Sequence, residues 1–477
     1  MNSINIKISK IELFERMVKL RMPFRFGIIT LTEAPQAFVK VTVEDEVGRV
    51  AIGGSAELMV PKWFDKTPSL SNEDNINQLR LSLKRAKAAY LETGKKAETA
   101  FNICAINYHK LVITEALNPL AASFGPSVID KAILDALCRV NDVSFEQAIQ
   151  KNIPGINFEV LAPDLKGFDF LGFLSRLIQN SNVYARHTVG LLDPLILSDQ
   201  KEGSHVNDGL PETLEQVIKV YGQRYFKIKV GGILKEDIAR LLEISSVLDK
   251  SGIDYVITLD GNEQYKDVKA LLELWHAISK HKKLQIFSKK IILIEQPIHR
   301  SKALSMSVSE LAVHVPVIID ESDGTIDAFL QAKILGYTGV SSKACKGLYK
   351  SIINAARCAM WNKELGADKF FMSAEDLTCQ AGLAVQQDLA LISLLGISHV
   401  ERNGHHYVNG MAGASEKEQS EFLKEHDDLY TLVQGRTCTN IKDGQLSTAS
   451  LQCVGFGTST HPNWEVLNEL KTSTNYN

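Results

Sequence analysis

The run YFKIKV at 225–230, followed by YVITLD at 255–260 and IILIEQ at 291–296, decides how this chain is read. Each is a short apolar run that ends in charged residues and gives way to a polar stretch with helical spacing. That alternation specifies parallel strands joined by helices. The same texture extends outward, to VYARHTV at 183–189 on one side and to VPVIID at 315–320, GVSSK at 339–343, KFFMSAED at 369–376 and SHVERNG at 398–404 on the other. Eight such units predict a closed (β/α)-barrel in preference to an open doubly wound sheet.

Ahead of the barrel the texture is different. INIKISKIELF at 4–14 and QAFVKVTVED at 36–45 alternate like antiparallel strands, with a Gly-rich turn expected at Gly53 and Gly54. LRLSLKRAKAAYLE and SVIDKAILDALCRV carry helical periodicity. Residues 1–150 therefore read as an α+β domain and 183–425 as the barrel. The Phe-, Leu- and Gly-rich segment 151–182 between them, which has no clear period, reads as an insertion or linker.

Bulk properties exclude several classes of protein. The 477 residues, 45% hydrophobic and 23% charged, form an ordinary globular composition, and a net charge of -3 leaves no basic excess for a nucleic acid backbone. The seven cysteines are scattered and never spaced as CxxC, so neither a disulfide framework nor a thiolate zinc site is expected and a reducing cytoplasm fits. The N-terminus lacks the apolar core of a secretory signal. Apolar runs such as LALISLLGI at 389–397 are too short to cross a bilayer, so no membrane partner is expected.

In a barrel of this kind functional side chains stand at the C-terminal ends of strands. Here those ends carry Lys227 and Lys229, which project to one side, then Asp260, Glu295, Asp320 with Glu321 beside it, and Lys343. Three acids ending three consecutive strands converge on one mouth, where their repulsion calls for a cation between them. All-oxygen ligands suit Mg2+, whereas zinc prefers His or Cys. Lysines on either side, crowded by other cations and removed from water, become able to accept protons.

The set resembles the enolase superfamily, and within it the mandelate racemase/muconate lactonizing enzyme group that includes the dipeptide epimerases. The resemblance rests on the K-x-K of YFKIKV, on LDGNEQY, IEQP and IDES, and on the lysine of GVSSKACKG, in that order on successive strands. It implies Asp260, Glu295 and Asp320 as Mg2+ ligands, with Lys229 and Lys343 as opposed acid/base groups and Lys227 in support. Asn262, Gln264 and Glu321 would stand close behind the metal. MPFRFG at 22–27, with Phe24 and Phe26, and GGSAE at 53–57 are similar to the family's two capping loops. Glu375 and Asp376 stand where relatives select substrate, and the tail from about 425 to 477 would return to the cap.

The activity so implied is removal of a proton beside the carboxylate of a small-molecule substrate, through an enediolate that a cation and lysine stabilise. Lysines on both faces point to racemisation or epimerisation of a dipeptide or N-acyl amino acid; a leaving group on the next carbon would give a cycloisomerase or sugar-acid dehydratase. Homo-oligomeric assembly is also implied. Where the family has paired glycines this chain reads Lys346, Gly347, Leu348, which makes Lys346 a second candidate base. Two other classes stay in view: a Schiff-base aldolase, which has no need of three acids, and an inactive barrel serving as a binding module. His405 and His406, adjacent on a segment read as extended, point opposite ways and read as loop structure. His299 and Trp63 read as packing, and the basic run Lys280–Lys283 as a solvated helix extension.

Overall fold

The computed structural model describes residues 3–26, 29–113, 116–200, 202–203 and 205–471, with the backbone alone at Phe26. Eight parallel strands close into a barrel: Asn182–Val189, Tyr225–Lys229, Val256–Asp260, Ile291–Glu295, Val317–Ile319, Gly339–Ser342, Phe371–Ala374 and His399–Arg402. The eighth pairs with the first through Val400 opposite Ala185, which closes the ring. Every expected barrel strand is present, most of them trimmed by a residue or two at the ends.

The N-terminal hairpin is longer than its alternation suggests. Its strands run Asn5–Phe26 and Ile29–Asp45, because the register slips between Ile8 and Lys10 and again between Lys19 and Phe24, and each bulge resets which side chains face inward. Gly53 and Gly54 form no turn. They lie inside the strand Val50–Leu58, against which the helix Pro119–Val140 packs closely. A Cβ at Gly53 would stand 2.1 Å from the Ala132 carbonyl oxygen, so glycine is needed there for the approach of a helix. Helices Asn72–Thr93 and Pro119–Val140 cover the sheet, the first opened by a capping box between Ser71 and Asp74.

The two layers are joined unevenly. One continuous apolar core runs from the cap into residues 344–408 beneath the sixth to eighth strands, through Leu348, Ile352, Leu389 and Val400. The core around the second to fifth strands contains no cap residue. The 151–182 segment forms short helices whose Phe158 and Leu174 join the cap-side core, and Asp164 pairs with Arg357 of the barrel at 2.8 Å. Near the C-terminus, Gln445–Ser447 adds antiparallel to the first barrel strand, and Asn468–Glu469 then pairs with Phe14 and Glu15 of the cap. All seven cysteines are free thiols, and among the described residues no helix is long and apolar enough to cross a membrane.

Candidate active site

Register builds the site. Lys229 pairs with Asp260, and Asp260 with Glu295, so three side chains stand in one row across the second, third and fourth strands. Lys227 lies two residues deeper on the same face. Its ammonium is the hub of the barrel mouth, 2.9 Å from Asp260 Oδ2, 2.8 Å from Glu295 Oε1, 2.7 Å from Glu375 Oε2 and 2.9 Å from Glu401 Oε2, and fully enclosed. Burial opposes the charge on Lys227, but those four carboxylates outweigh it and hold its pKa well above the usual value. Lys229 Nζ meets Asp260 Oδ2 at 2.6 Å.

Across the barrel, Asp320 follows the fifth strand and is fixed through its backbone N–H, which donates to Gln296 Oε1 at 2.8 Å. Its carboxylate receives Lys343 Nζ at 2.7 Å, Lys346 Nζ at 3.2 Å and the Ser341 hydroxyl. Burial raises the pKa of Asp320, and the two lysines more than reverse it, so the group is held far below the usual range. Asp320 in turn raises Lys343, against the effect of that residue's own burial.

Lys227, Lys229, Lys343, Asp260, Asn262, Asp376, Glu401 and Asn403 line a narrow cavity of about 30 Å³, together with Phe24, Val60 and Trp63 from the cap. That is room for about one water molecule. The roof differs from the expected one. Phe24 is in place and its ring lies 4.3 Å from that of Tyr407, while the side chain of Phe26 and the whole of Gly27 fall outside the described residues. The second roof element follows the strand that contains GGSAE. Trp63, expected to be mere packing, sets its ring 4.3 Å from Lys343 Nζ.

Asp376 lines the cavity; Glu375 does not, and is taken up by Lys227 and the Arg186 guanidinium. Lys346 does not reach the cavity: its Nζ donates to the Ser341 carbonyl at 2.8 Å and pairs with Asp323 at 3.2 Å. Of Lys343 and Lys346, Lys343 is the one that lines the cavity. Asn262 takes its backbone N–H to Asp260 Oδ1 at 2.8 Å, and Gln264 braces Asn262 by donating to its carbonyl at 2.9 Å. Glu401, on the eighth strand, was missed in the sequence. Its neighbours there, Arg402 and Asn403, gave no parity signal, because the register of the strand against Lys227 becomes visible only once the barrel closes.

The donor set fits a hard cation. Glu295 is pushed well above the usual carboxylate range by burial and by Asp260 and Glu375, and Glu321 is pushed up to about 7 by burial, with Asp320 and Glu263 adding to it. Glu321 Oε2 and Asn262 Oδ1 are buried acceptors with no hydrogen-bond partner. Oxygens in this condition need positive charge. Among the described residues no three His, Cys, Asp or Glu side chains already gather about one point. Each expected ligand faces a lysine instead: Asp260 with Lys229, Glu295 with Lys227 and Asp320 with Lys343.

His405 and His406 lie in a helical turn, Gly404–Tyr407, and not in an extended segment, so both turn inward. His405 Nε2 is 3.1 Å from His187 Nδ1, and the His187 and His406 rings are 4.8 Å apart. Burial lowers all three pKa values, that of His187 to about 3, and neighbouring Arg21 lowers both His405 and His406 further. A histidine kept neutral in the folded state takes up protons on unfolding, so its contribution is present above the ordinary value of 6.5 and is lost as pH falls below it. Stability should therefore fall by about 1.4 kcal/mol per pH unit for each such histidine below 6.5. Urea unfolding of the wild type and of His187→Phe at pH 7.5, 6 and 5 tests this, since the difference between them cancels the opposite contribution of raised carboxyls such as Glu321; a difference that does not change with pH would mean that His187 is not buried neutral.

No family model matches the sequence and no curated protein matches it. Solved structures do. A dipeptide epimerase from Enterococcus faecalis V583, complexed with Mg and the dipeptide L-Leu-L-Tyr, is 16% identical with a TM-score of 0.60, over 94% of this chain and 99% of that one. A mandelate racemase/muconate lactonizing protein from Herpetosiphon aurantiacus is 14% identical with a TM-score of 0.58, over 94% and 98%. An N-succinyl Arg/Lys racemase from Bacillus cereus is 18% identical with a TM-score of 0.55, over 83% and 87%. The chain has the capped-barrel fold of enolase superfamily proteins across nearly its whole length.

Proposed function

We propose that this chain is an Mg2+-dependent enzyme of the enolase superfamily that removes the proton beside a substrate carboxylate, acting as a racemase or epimerase on a dipeptide or N-acyl amino acid. The observation that carries the reading is the placement of Lys229 and Lys343. They come from the second and sixth strands of an eight-membered ring, four places apart and so on opposite sides, and both line the same cavity. A carbon held between them presents one face to each amine, which is the geometry that takes a proton from one side and returns it from the other.

Asp260, Glu295 and Asp320 would hold the cation, with Glu321 and Asn262 behind them. The cation supplies charge stabilisation for the developing enediolate. With Asp260 and Asp320 engaged by a cation, Lys229 and Lys343 would each lose a carboxylate partner and would be free to exchange protons with the α-carbon. Lys227 stays charged among its carboxylates and faces the substrate carboxylate. Asp376 and Asn403, on the rim of the cavity, contact the substrate's distal part, and Phe24, Val60 and Trp63 exclude water.

Solvent-deuterium incorporation into dipeptides, N-acyl amino acids and sugar acids, with and without Mg2+, tests the proposal. Exchange at the α-carbon that depends on the cation is expected with the first two classes. Loss of water from a sugar acid would instead mark a dehydratase, and absence of Mg2+ binding would overturn the ligand assignment.

A further inference from the structure

The cavity is too small to admit a substrate while the Trp63 loop is in place, so whatever holds that loop governs the site. On the side of the sixth to eighth strands the cap is joined to the barrel through a shared apolar core. On the side of the third and fourth strands no cap residue enters the core, and the junction is polar. Its centre is Arg300, which follows IEQP at the end of the fourth strand. The guanidinium donates to two cap carbonyls, Trp63 at 2.8 Å through Nη2 and Phe64 at 3.0 Å through Nη1.

Arg300 is itself fixed by Glu263, whose Oε1 accepts from the Arg300 backbone N–H at 2.7 Å and from Nε at 2.8 Å, and whose Oε2 accepts from Nη2 at 2.9 Å. Glu263 and Asn262 both adopt the left-handed backbone region, with φ of 71° and 40°, which turns the Glu263 carboxylate away from the catalytic cavity and under the cap. Two successive non-glycine residues there cost about 1–3 kcal/mol each, which the fixed contacts must offset. From the cap side, Lys66 closes the cluster by pairing with Glu263 and donating to the Asn262 carbonyl at 3.1 Å.

We propose that Arg300 is a positioning residue: by gripping the Trp63 and Phe64 carbonyls on a Glu263 anchor, it sets the Trp63 indole over Lys343 and closes the site. The closing action rests on the reaction proposed above, but the grip itself does not. Arg300 touches neither the cavity nor any of the residues proposed to react; it acts through the backbone that carries Trp63. The guanidinium is required because a single group must serve two carbonyls and a carboxylate in one plane, which lysine cannot do.

Hydroxyl-radical footprinting with peptide mapping, on the full chain without substrate, measures the exposure of Trp63 directly. Trp361, equally buried within the barrel wall at 3% exposure against 4% for Trp63, is the internal control. In Arg300→Gln, oxidation of Trp63 should rise at least about fivefold with Trp361 unchanged, because only the local closed state is lost. Arg300→Lys, which keeps the charge toward Glu263, should fall between. Glu263→Gln, which removes the anchor's charge at constant volume, should move in the same direction as Arg300→Gln. Trp63 oxidation unchanged in Arg300→Gln, or Trp63 and Trp361 rising together, overturns the assignment. Because no substrate is needed, a failure to find α-proton exchange would overturn the reaction and leave this result standing.

Discussion

Lys343→Ala should lose racemisation by at least about a thousandfold, in the range that removing a positioned acid/base group produces. Lys229→Ala should do the same. The two variants should differ in which stereoisomer they still exchange. With amines on opposite sides of the bound carbon, each surviving lysine can still remove the proton that faces it, and with the opposite amine gone that proton can return only to the same face. One variant should therefore wash deuterium into the L-isomer alone and the other into the D-isomer alone, neither interconverting them. NMR of each isomer incubated in D2O with Mg2+ distinguishes these outcomes. Exchange of both isomers by both variants would remove the two-base assignment. Lys346→Ala is the contrasting case: its amine does not line the cavity but holds Asp320, Asp323 and the Ser341 carbonyl, so it should cost stability and leave the stereochemistry of whatever exchange remains unchanged.

The barrel was legible because strand ends and helix spacing repeat eight times, and because a K-x-K pair on one strand must share a face. The positions of Lys227, Lys229, Asp260, Glu295, Asp320 and Lys343 followed from that alone, and all of them meet at the mouth. Three things were not legible. Glu401 and Arg186 are charged residues on the eighth and first strands whose partners, Lys227 and Glu375, lie more than a hundred residues away in the chain, so only closure of the ring brings them together. Gly53 looks like a turn glycine in sequence, yet it is a contact glycine, since a glycine that admits a helix and one that admits a positive φ are the same letter. Trp63 reads as packing because an indole buried against apolar neighbours and one buried against an ammonium have the same local sequence. In each case the missing information was a long-range contact, which local periodicity does not carry.

Lys227→Met carries the largest expected cost in stability. Its single ammonium touches Asp260, Glu295, Glu375 and Glu401, none of them exposed by more than 2%, and methionine fills the space while removing the charge. Buried carboxylates left without a partner cannot be solvated in place, so the variant should unfold about 3–5 kcal/mol more easily, the cost of breaking a buried pair from one side. Glu295, already above its usual range while Lys227 is present, is the first to feel the loss. The same argument fixes the effect of Mg2+. In the wild type the cation must draw Asp260 and Glu295 away from an ammonium; in the variant those oxygens are unopposed, and the cation supplies the charge that is missing. Mg2+ should therefore bind Lys227→Met more tightly: at a concentration about a hundredfold above the variant's Kd it should stabilise the variant by about 2.7 kcal/mol in total, and the wild type by less at that same concentration. Urea unfolding of both proteins with and without Mg2+ measures all four quantities. A variant as stable as the wild type without the cation would mean that the four carboxylates are not held by Lys227, and one stabilised no more than the wild type by Mg2+ would place the cation away from Asp260 and Glu295.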